Sequence, residues 1–133
     1  MIEFSSAKDI PEDSLRYLYE ANDWSAVADP EALRGALAHS HSVVTVWDGS
    51  RLVGLGSTLS DGHLVVYYSH LLVHPDYQRT GIGTAITKRL EDEYAGFHQH
   101  VLIAEGNAVE FYRKMGFEQA NDHLPMWQVG FAP

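Results

Sequence analysis

The stretch LLVHPDYQRTGIGTAI, residues 71–86, decides the fold of this chain. Its apolar run Leu71–Val73 predicts a buried strand, and the strand must end by Pro75 because proline cannot continue a central strand. From Ile82 onward, apolar residues recur every four positions and predict a helix of roughly 80–95. The stretch therefore reads as a strand, a glycine-rich loop and the start of a helix.

Two glycines, Gly81 and Gly83, lie at the junction between loop and helix. Without Cβ atoms they allow backbone amides to approach a ligand, and the first N–H groups of a helix favour an anion such as a pyrophosphate. The dinucleotide fingerprint G-x-G-x-x-G fails, because its third glycine falls at Ile86. A P-loop needs Gly-Lys-Ser/Thr, which the chain lacks. The remaining pattern, Q-x-x-G-x-G over Gln78–Gly83, can equally be an ordinary turn with glycines for packing.

Length and composition predict one globular domain over residues 1–133, with 45% hydrophobic and 20% charged residues. The sequence has no cysteine, which excludes disulfides and thiolate chemistry. It has no apolar run near the length of about 18 residues that a membrane span needs. Met1–Phe4 lacks the features of a secretory signal. We therefore expect a cytoplasmic protein with no membrane partner.

The net charge of −9 argues against a nucleic-acid partner. Five of the nine basic residues lie within residues 79–114, whereas residues 1–62 carry ten acids against four bases. This distribution favours an anionic cofactor bound by the second half and a cationic acceptor attracted by the first. Charges on solvated helix faces would give the same distribution.

Periodicity and turn signals predict the element order βααβββαβαββ, an α/β (α+β) fold with a mixed, mostly antiparallel sheet flanked by helices. Asp48-Gly49 and Asp61-Gly62 are hairpin signals. A buried strand is expected at Val101–Ala104, then a short helix capped by Asn107. The remaining strands are expected at 2–4, 42–47, 51–59, 63–73, 117–119 and 126–131, and the two N-terminal helices at about 11–22 and 30–39.

The loop Gln78–Gly83 resembles the signature of the GCN5-related N-acetyltransferase (GNAT) family, and the segment NAVEFYRKMGF, Asn107–Phe117, resembles a second family motif. The element order is similar to that of the family, and the resemblance covers residues 42–119. It implies the GNAT acyl-CoA N-acyltransferase fold. It also implies transfer of an acetyl group from acetyl-CoA to a primary amine of a small molecule by direct attack.

The resemblance further implies which residues bind the cofactor. Backbone amides of the loop would hold its pyrophosphate, the strand before the loop would pair with the pantetheine arm, and Asn107 would contact that arm. Tyr112 would contact the cofactor and act as general acid, because a phenol with a pKa of about 10 is protonated at neutral pH. A core aromatic at Tyr112 is the plainer alternative. The residues implied for the strand and loop are Leu71, Leu72, Val73, Gln78, Arg79, Thr80, Gly81, Ile82, Gly83 and Thr84.

Two features depart from the family pattern. The family commonly has Arg or Lys at the position of Thr80, and here Arg79 is the only base in the loop. Many members carry a carboxylate on the fourth strand, where this chain has Ser69 and His70. The general base is therefore either His70, whose ordinary pKa of about 6.5 suits proton transfer, or water.

Aromatic side chains suit an ammonium group, and those expected to bind the substrate are Trp24, Tyr19, Tyr68 and Trp127, although each can equally belong to the core. The eight histidines do not complete a zinc pattern, so we expect no metal. A protein or peptide acetyltransferase acting on lysines or N-termini, and a non-catalytic acyl-CoA-binding module, are alternative functions. A homodimer is plausible from family habit.

Overall fold

A computed structural model of the chain describes residues 1–130. These residues fall into two compact units, Met1–Leu102 and the part of Ile103–Pro133 that is described. Within residues 1–130, none of the helices is both long and apolar enough to cross a lipid bilayer.

The first unit contains a five-stranded sheet in the order β1-β2-β3-β4-β5. Neighbouring strands are antiparallel except for β4 and β5, which are parallel. The two Asp-Gly signals lie in the hairpins that join β2, β3 and β4, as predicted. The strands are β1 (Ile2–Ser5), β2 (Ser42–Asp48), β3 (Arg51–Ser60), β4 (Val65–Val73) and β5 (Gln99–Val101).

Four α-helices occur in the described residues: α1 (Glu12–Ala21), α2 (Pro30–Ala38), α3 (Ile82–Glu93) and, in the second unit, α4 (Val109–Lys114). Three short 3₁₀ turns lie at Ser25–Ala28, Pro75–Tyr77 and Gly106–Ala108. Proline and acidic residues begin α1 and α2 as the sequence predicts, and the carboxylate of Asp29 caps α2 by accepting a hydrogen bond from the Ala32 N–H at 3.1 Å.

Helices cover both faces of the sheet. Side chains of α1 and α2 pack with Leu55 and Leu72 in one core cluster. On the opposite face, α3 packs against Gly54 and Gly56 of β3 through Ile86 and its neighbours. This arrangement fixes the beginning of α3, and hence the glycine loop, against the end of β4.

A β-bulge reverses the side-chain alternation within β4. Ser57 pairs with His70 and Thr58 with Tyr68, so that Ser69 is an extra residue on β4. Because an extra residue moves the following side chains to the other face, His70 lies on the α1 face whereas Tyr68 lies on the α3 face. The sequence pattern gave no sign of this bulge.

The prediction of a buried strand at Val101–Ala104 was wrong in position and in burial. β5 spans Gln99–Val101, and both of its end residues are exposed. It pairs in parallel with Val65–Tyr67 only. The prediction followed the apolar run at 101–104, whereas hydrogen bonding to β4 determines that the strand lies at Gln99–Val101.

Neither C-terminal strand, at 117–119 or 126–131, is found in the described part of the second unit, and Phe131 lies outside that part. Asn121 has a left-handed backbone, and the His123 N–H donates to the Ala120 carbonyl in a turn. Pro125 also lacks an N–H. Apolar and aromatic composition predicted strands here, but a strand also needs a hydrogen-bonded partner. The first nine elements of the predicted order are nevertheless present.

Candidate active site

The glycine loop ends in a helix whose first turn has no side-chain cap. Gly81 has a left-handed backbone with φ 89°, and it immediately precedes α3. The first hydrogen bond at this end runs from the Ala85 N–H to the Gly81 carbonyl at 3.0 Å. Within the described chain, the N–H groups of Ile82, Gly83 and Thr84 therefore have no acceptor. They are available to an anion at the positive end of the helix dipole.

The polar side chains of the loop bind its own backbone. The Gln78 side-chain amide donates to the Val73 carbonyl at 3.0 Å, and the Thr80 hydroxyl donates to the Tyr77 carbonyl. These bonds hold the turn between β4 and α3. Both side chains are thereby engaged within the loop itself.

Arg79 supplies the positive charge of the loop. It is exposed, and its backbone is also left-handed, with φ 65°. Thr80, which stands where a basic residue was expected by resemblance, is engaged with the loop backbone instead. Of the basic residues on α3, Arg89 lies over the Phe4 ring, with its guanidinium carbon 4.1 Å from the ring centroid. Arg79 is therefore the cation that precedes the helix start.

The loop is anchored by residues that the sequence did not predict to belong to the site. The Tyr77 hydroxyl donates to the Asp48 carboxylate, which holds the pKa of Asp48 below its usual value. The His74 ring stacks on Tyr17 of α1 at 4.8 Å between centroids, and its Nδ1 accepts from the Asp76 N–H at 3.1 Å. The contacts of Tyr77 with Asp48 and of His74 with Tyr17 join residues far apart in the chain, and no local sequence pattern reports them.

The strand before the loop has a free edge. On one side, Leu71–Val73 pair with Gly54–Gly56 of β3. On the other side, β5 pairs with β4 only as far as Tyr67. Among the described residues of the first unit, Ser69–Val73 have no strand partner on that edge of β4. An extended ligand can use such backbone groups as an added strand would.

Tyr19, Trp24 and His70 meet on the α1 face of β4. The Tyr19 hydroxyl lies 2.7 Å from His70 Nδ1, and the Trp24 ring packs edge-on against both rings, at 5.6 Å from Tyr19 and 5.1 Å from His70. Burial raises the pKa of the Tyr19 phenol and lowers the pKa of the His70 imidazole. Both side chains are therefore held in their neutral forms. The structure thus brings together three of the predicted site residues.

Tyr68 does not join this group. Its hydroxyl lies 2.7 Å from His100 Nδ1 on the α3 face, where its ring also packs against Tyr94. Nearby, the Tyr94 hydroxyl lies 2.7 Å from His41 Nδ1. Three of the histidines thus pair with tyrosines through Nδ1. In the described residues, no three His, Asp or Glu side chains converge as a metal site requires.

The second unit carries Asn107, Tyr112 and Trp127. Tyr112 lies on α4, which ends at Gly116 in a Schellman motif: the Gly116 N–H bonds to the Arg113 carbonyl at 3.0 Å, and the Phe117 N–H to that of Tyr112 at 2.9 Å. The prediction that Asn107 caps the helix was wrong. Asn107 lies inside the 3₁₀ turn before α4, and Ala108 occupies the cap position without a side-chain bond. Trp127 is half exposed.

A protein-family model described as an acetyltransferase (GNAT) domain matches residues 7–127. The chain belongs to the GNAT family. Relatives include an uncharacterized N-acetyltransferase of Porphyra purpurea, 29% identical over 120 residues that cover 85% of this chain and 68% of that protein. A histone acetyltransferase of Glycine max is 28% identical over 128 residues, covering 86% of this chain and 55% of that protein.

A solved GNAT-family acetyltransferase of Streptococcus pneumoniae has the same fold, with a TM-score of 0.85 and 32% identity over 98% of both chains. The predicted family, the GNAT fold and the assignment as an acetyltransferase are confirmed.

GNAT enzymes use acetyl-CoA, and the residues of this site fit that molecule. The uncapped start of α3 offers three N–H groups beside the cation of Arg79, which suits a pyrophosphate. The open edge of β4 from Ser69 to Val73 offers backbone groups to an extended amide-bearing arm.

Proposed function

We propose that this acetyltransferase transfers the acetyl group of acetyl-CoA to the primary amine of a small molecule by direct attack. The observation that carries the proposal is the uncapped N-terminus of α3 at Gly81, which the loop 74–81 connects to a strand with an open edge. Acetyl-CoA supplies the acetyl group through its thioester. In this proposal, Ile82, Gly83 and Thr84 bind the pyrophosphate through their N–H groups, and Leu71–Val73 bind the pantetheine arm.

The roles of the loop side chains follow from their contacts. Gln78 and Thr80 shape the loop through bonds to its backbone, and Arg79 adds positive charge. Asn107 remains a proposed contact to the cofactor arm, since it is not engaged as a helix cap.

In the proposed reaction, the neutral amine nitrogen bonds to the acetyl carbonyl carbon and the carbon–sulfur bond breaks. The Tyr112 phenol gives its proton to the departing sulfur and regains one from solvent. The attacking nitrogen loses one proton, either to His70 or to water. Atoms and charge balance on either route.

In the cluster of Tyr19, Trp24 and His70, the acceptor is proposed to meet the half-buried rings of Trp24 and His70. The prediction that Tyr19 contacts the substrate was wrong, because its side chain is fully buried. This cluster is aromatic and contains no charged group when His70 is neutral. Such surroundings favour the neutral amine that direct attack requires, because an ammonium ion would lose hydration there. Trp127 stays a proposed substrate contact. Tyr68 is left out because it lies on the other face of the sheet.

A second candidate function is the acetylation of protein or peptide amines. The relative in Glycine max is named a histone acetyltransferase, and that activity is its own. A lysine side chain presents the same nucleophile as a small primary amine. A screen for the acceptor must therefore include peptides.

Isothermal titration with acetyl-CoA tests the proposal first, with dephospho-CoA and NAD as controls. We expect micromolar binding of acetyl-CoA and much weaker binding of NAD. A screen for thiol release with small amines, lysine peptides and free N-terminal peptides then identifies the acceptor. Absence of acetyl-CoA binding would reject the cofactor assignment, and turnover with peptides alone would select the second function.

We also propose a homodimer, on the basis of the family resemblance alone. Sedimentation equilibrium of the full chain, with and without acetyl-CoA, measures its mass directly. A mass equal to one chain at micromolar concentration would reject the dimer.

A further inference from the structure

The Tyr19 hydroxyl is buried, and the sole hydrogen-bond partner that the described residues give it is His70 Nδ1, at 2.7 Å. Tyr19 itself is 0% exposed. The other ring nitrogen of His70, Nε2, has no hydrogen-bond partner in residues 1–130 and is not fully buried there. The two nitrogens of this ring therefore have different surroundings: Nδ1 faces a buried phenol, whereas Nε2 keeps access to solvent.

The numbers of hydrogen-bond donors and acceptors on Tyr19 and His70 determine which atom donates. A phenol has one hydrogen, and leaving it without an acceptor inside the protein is costly. A neutral imidazole has one N–H and one bare nitrogen. If Nδ1 carried the hydrogen, the Tyr19 O–H would have no acceptor, whereas Nε2 can bond to water in either state. The arrangement that satisfies both groups has Tyr19 donating to Nδ1 and the imidazole hydrogen on Nε2.

We propose that Tyr19 is a positioning residue that fixes His70 as the Nε2–H tautomer, so that His70 presents a hydrogen-bond donor beside the end of β4. A donor in this position suits an oxygen acceptor on the bound reactants, either the thioester carbonyl or an oxygen of the acceptor substrate. His70 then cannot take the amine proton at Nε2, and water takes it. Only the identity of the group that His70 contacts rests on the proposed function. The tautomer is a property of the protein without any ligand.

Trp24 supports the same arrangement. Its ring meets Tyr19 at an interplanar angle of 89° and His70 at 78°. Rotation of either ring about its own axis is therefore restricted by the indole. The ring of His70 is held by a hydrogen bond on one side and by an aromatic edge on another.

The tautomer is measured by long-range ¹⁵N–¹H correlation spectra of the full chain, with the His70 signals assigned from their loss in His70→Gln. We expect protonated Nε2 and bare Nδ1 in the wild type. Tyr19→Phe should give a mixture of the two tautomers. Tyr68→Phe is the matched control, because it removes a hydroxyl at the same 2.7 Å distance from His100 Nδ1. It should alter the His100 signals and leave those of His70 unchanged.

The activities of His70 variants distinguish a hydrogen-bond donor from a general base at this position. Glutamine offers an N–H but accepts no proton at neutral pH, so His70→Gln should retain kcat within about threefold, whereas His70→Ala should lose about tenfold or more, as expected for one lost hydrogen bond. Thioester and acceptor contacts are distinguished by repeating the comparison with an acceptor that lacks oxygen atoms. If the loss in His70→Ala persists with that acceptor, the thioester carbonyl is the partner.

A wild-type spectrum with protonated Nδ1, or a Tyr19→Phe spectrum identical to wild type, overturns the proposal. Equal loss of kcat in His70→Gln and His70→Ala also overturns the donor role. Failure of acetyl-CoA to bind would reject the proposed function instead, and the spectra would still determine the tautomer.

Discussion

Gly56 of β3 leaves space that the side chain of Ile86 in α3 occupies. A Cβ atom at Gly56 would overlap Cγ2 of Ile86 and lie 2.9 Å from Cδ1 of Leu90. The helix that begins at the glycine loop can therefore approach the sheet closely only because β3 has no side chain at this position. Packing of β3 thus controls where the candidate phosphate site lies.

Gly56→Ala should destabilise the protein by about 1–3 kcal/mol, because the added methyl group forces α3 or its side chains to move. The measurement is urea denaturation followed by tryptophan fluorescence. Gly35→Ala in α2 is the control, since a Cβ there meets no atom within 4 Å. It should stabilise by about 0.5–1 kcal/mol, as alanine replaces glycine within a helix. Equal stability of Gly56→Ala and wild type would contradict the close packing.

Local signals predicted the elements that depend on local interactions. Pro30 and the Asp29 cap begin α2, and the Asp-Gly turns lie where β2, β3 and β4 reverse. Gly54 and Gly56 are apparent in the sequence as interruptions of the β3 apolar pattern. Their role in packing against α3 is not apparent, because the helix residues that face them lie about thirty positions away. The position of the bulge at Ser69 likewise depends on how β4 pairs with β3.

The sequence predicted the loop of the candidate site, but it predicted the residues on the acceptor side only in part. Gly81 and Gly83 mark the junction of loop and helix in the sequence, and Gly81 has the left-handed backbone that glycine adopts readily. Tyr68 was grouped with Tyr19 because both are aromatic, yet a single bulge places it on the opposite face. The contact between Tyr19 and His70 joins positions 51 apart in sequence. No spacing rule within one sequence reports such a pair.

Gly81→Val should weaken acetyl-CoA binding, because valine strongly disfavours the left-handed backbone that orients the first turn of α3. We expect the Kd from isothermal titration to rise at least about tenfold, the loss of roughly one charge-assisted hydrogen bond. Gly96→Val is the matched control: its φ is 88° against 89°, and a Cβ at either glycine meets no atom within 4 Å. Normal binding by Gly81→Val would show that the loop assignment is incorrect.

Tyr112→Phe should lower kcat by about 10²-fold or more while leaving the Kd for acetyl-CoA within about twofold, since only the proton donor is removed. Steady-state thiol release and titration measure the two quantities separately. Tyr67→Phe removes a phenol hydroxyl from β4, outside the proposed machinery, and should leave both quantities unchanged. If kcat survives in Tyr112→Phe, another group or solvent protonates the sulfur.

The folded protein should lose stability as the pH falls from about 7 to 5, because burial lowers the pKa of His70 below its ordinary value of 6.5. Below that value the unfolded chain binds a proton that the folded chain excludes, so acidification favours unfolding, by at most about 1.4 kcal/mol per pH unit for one group. His70→Gln should flatten this dependence, since glutamine does not titrate. His98→Gln, at an exposed position, should preserve it. Denaturation curves at several pH values provide the comparison, and an equal slope in wild type and His70→Gln would mean that another group carries the dependence.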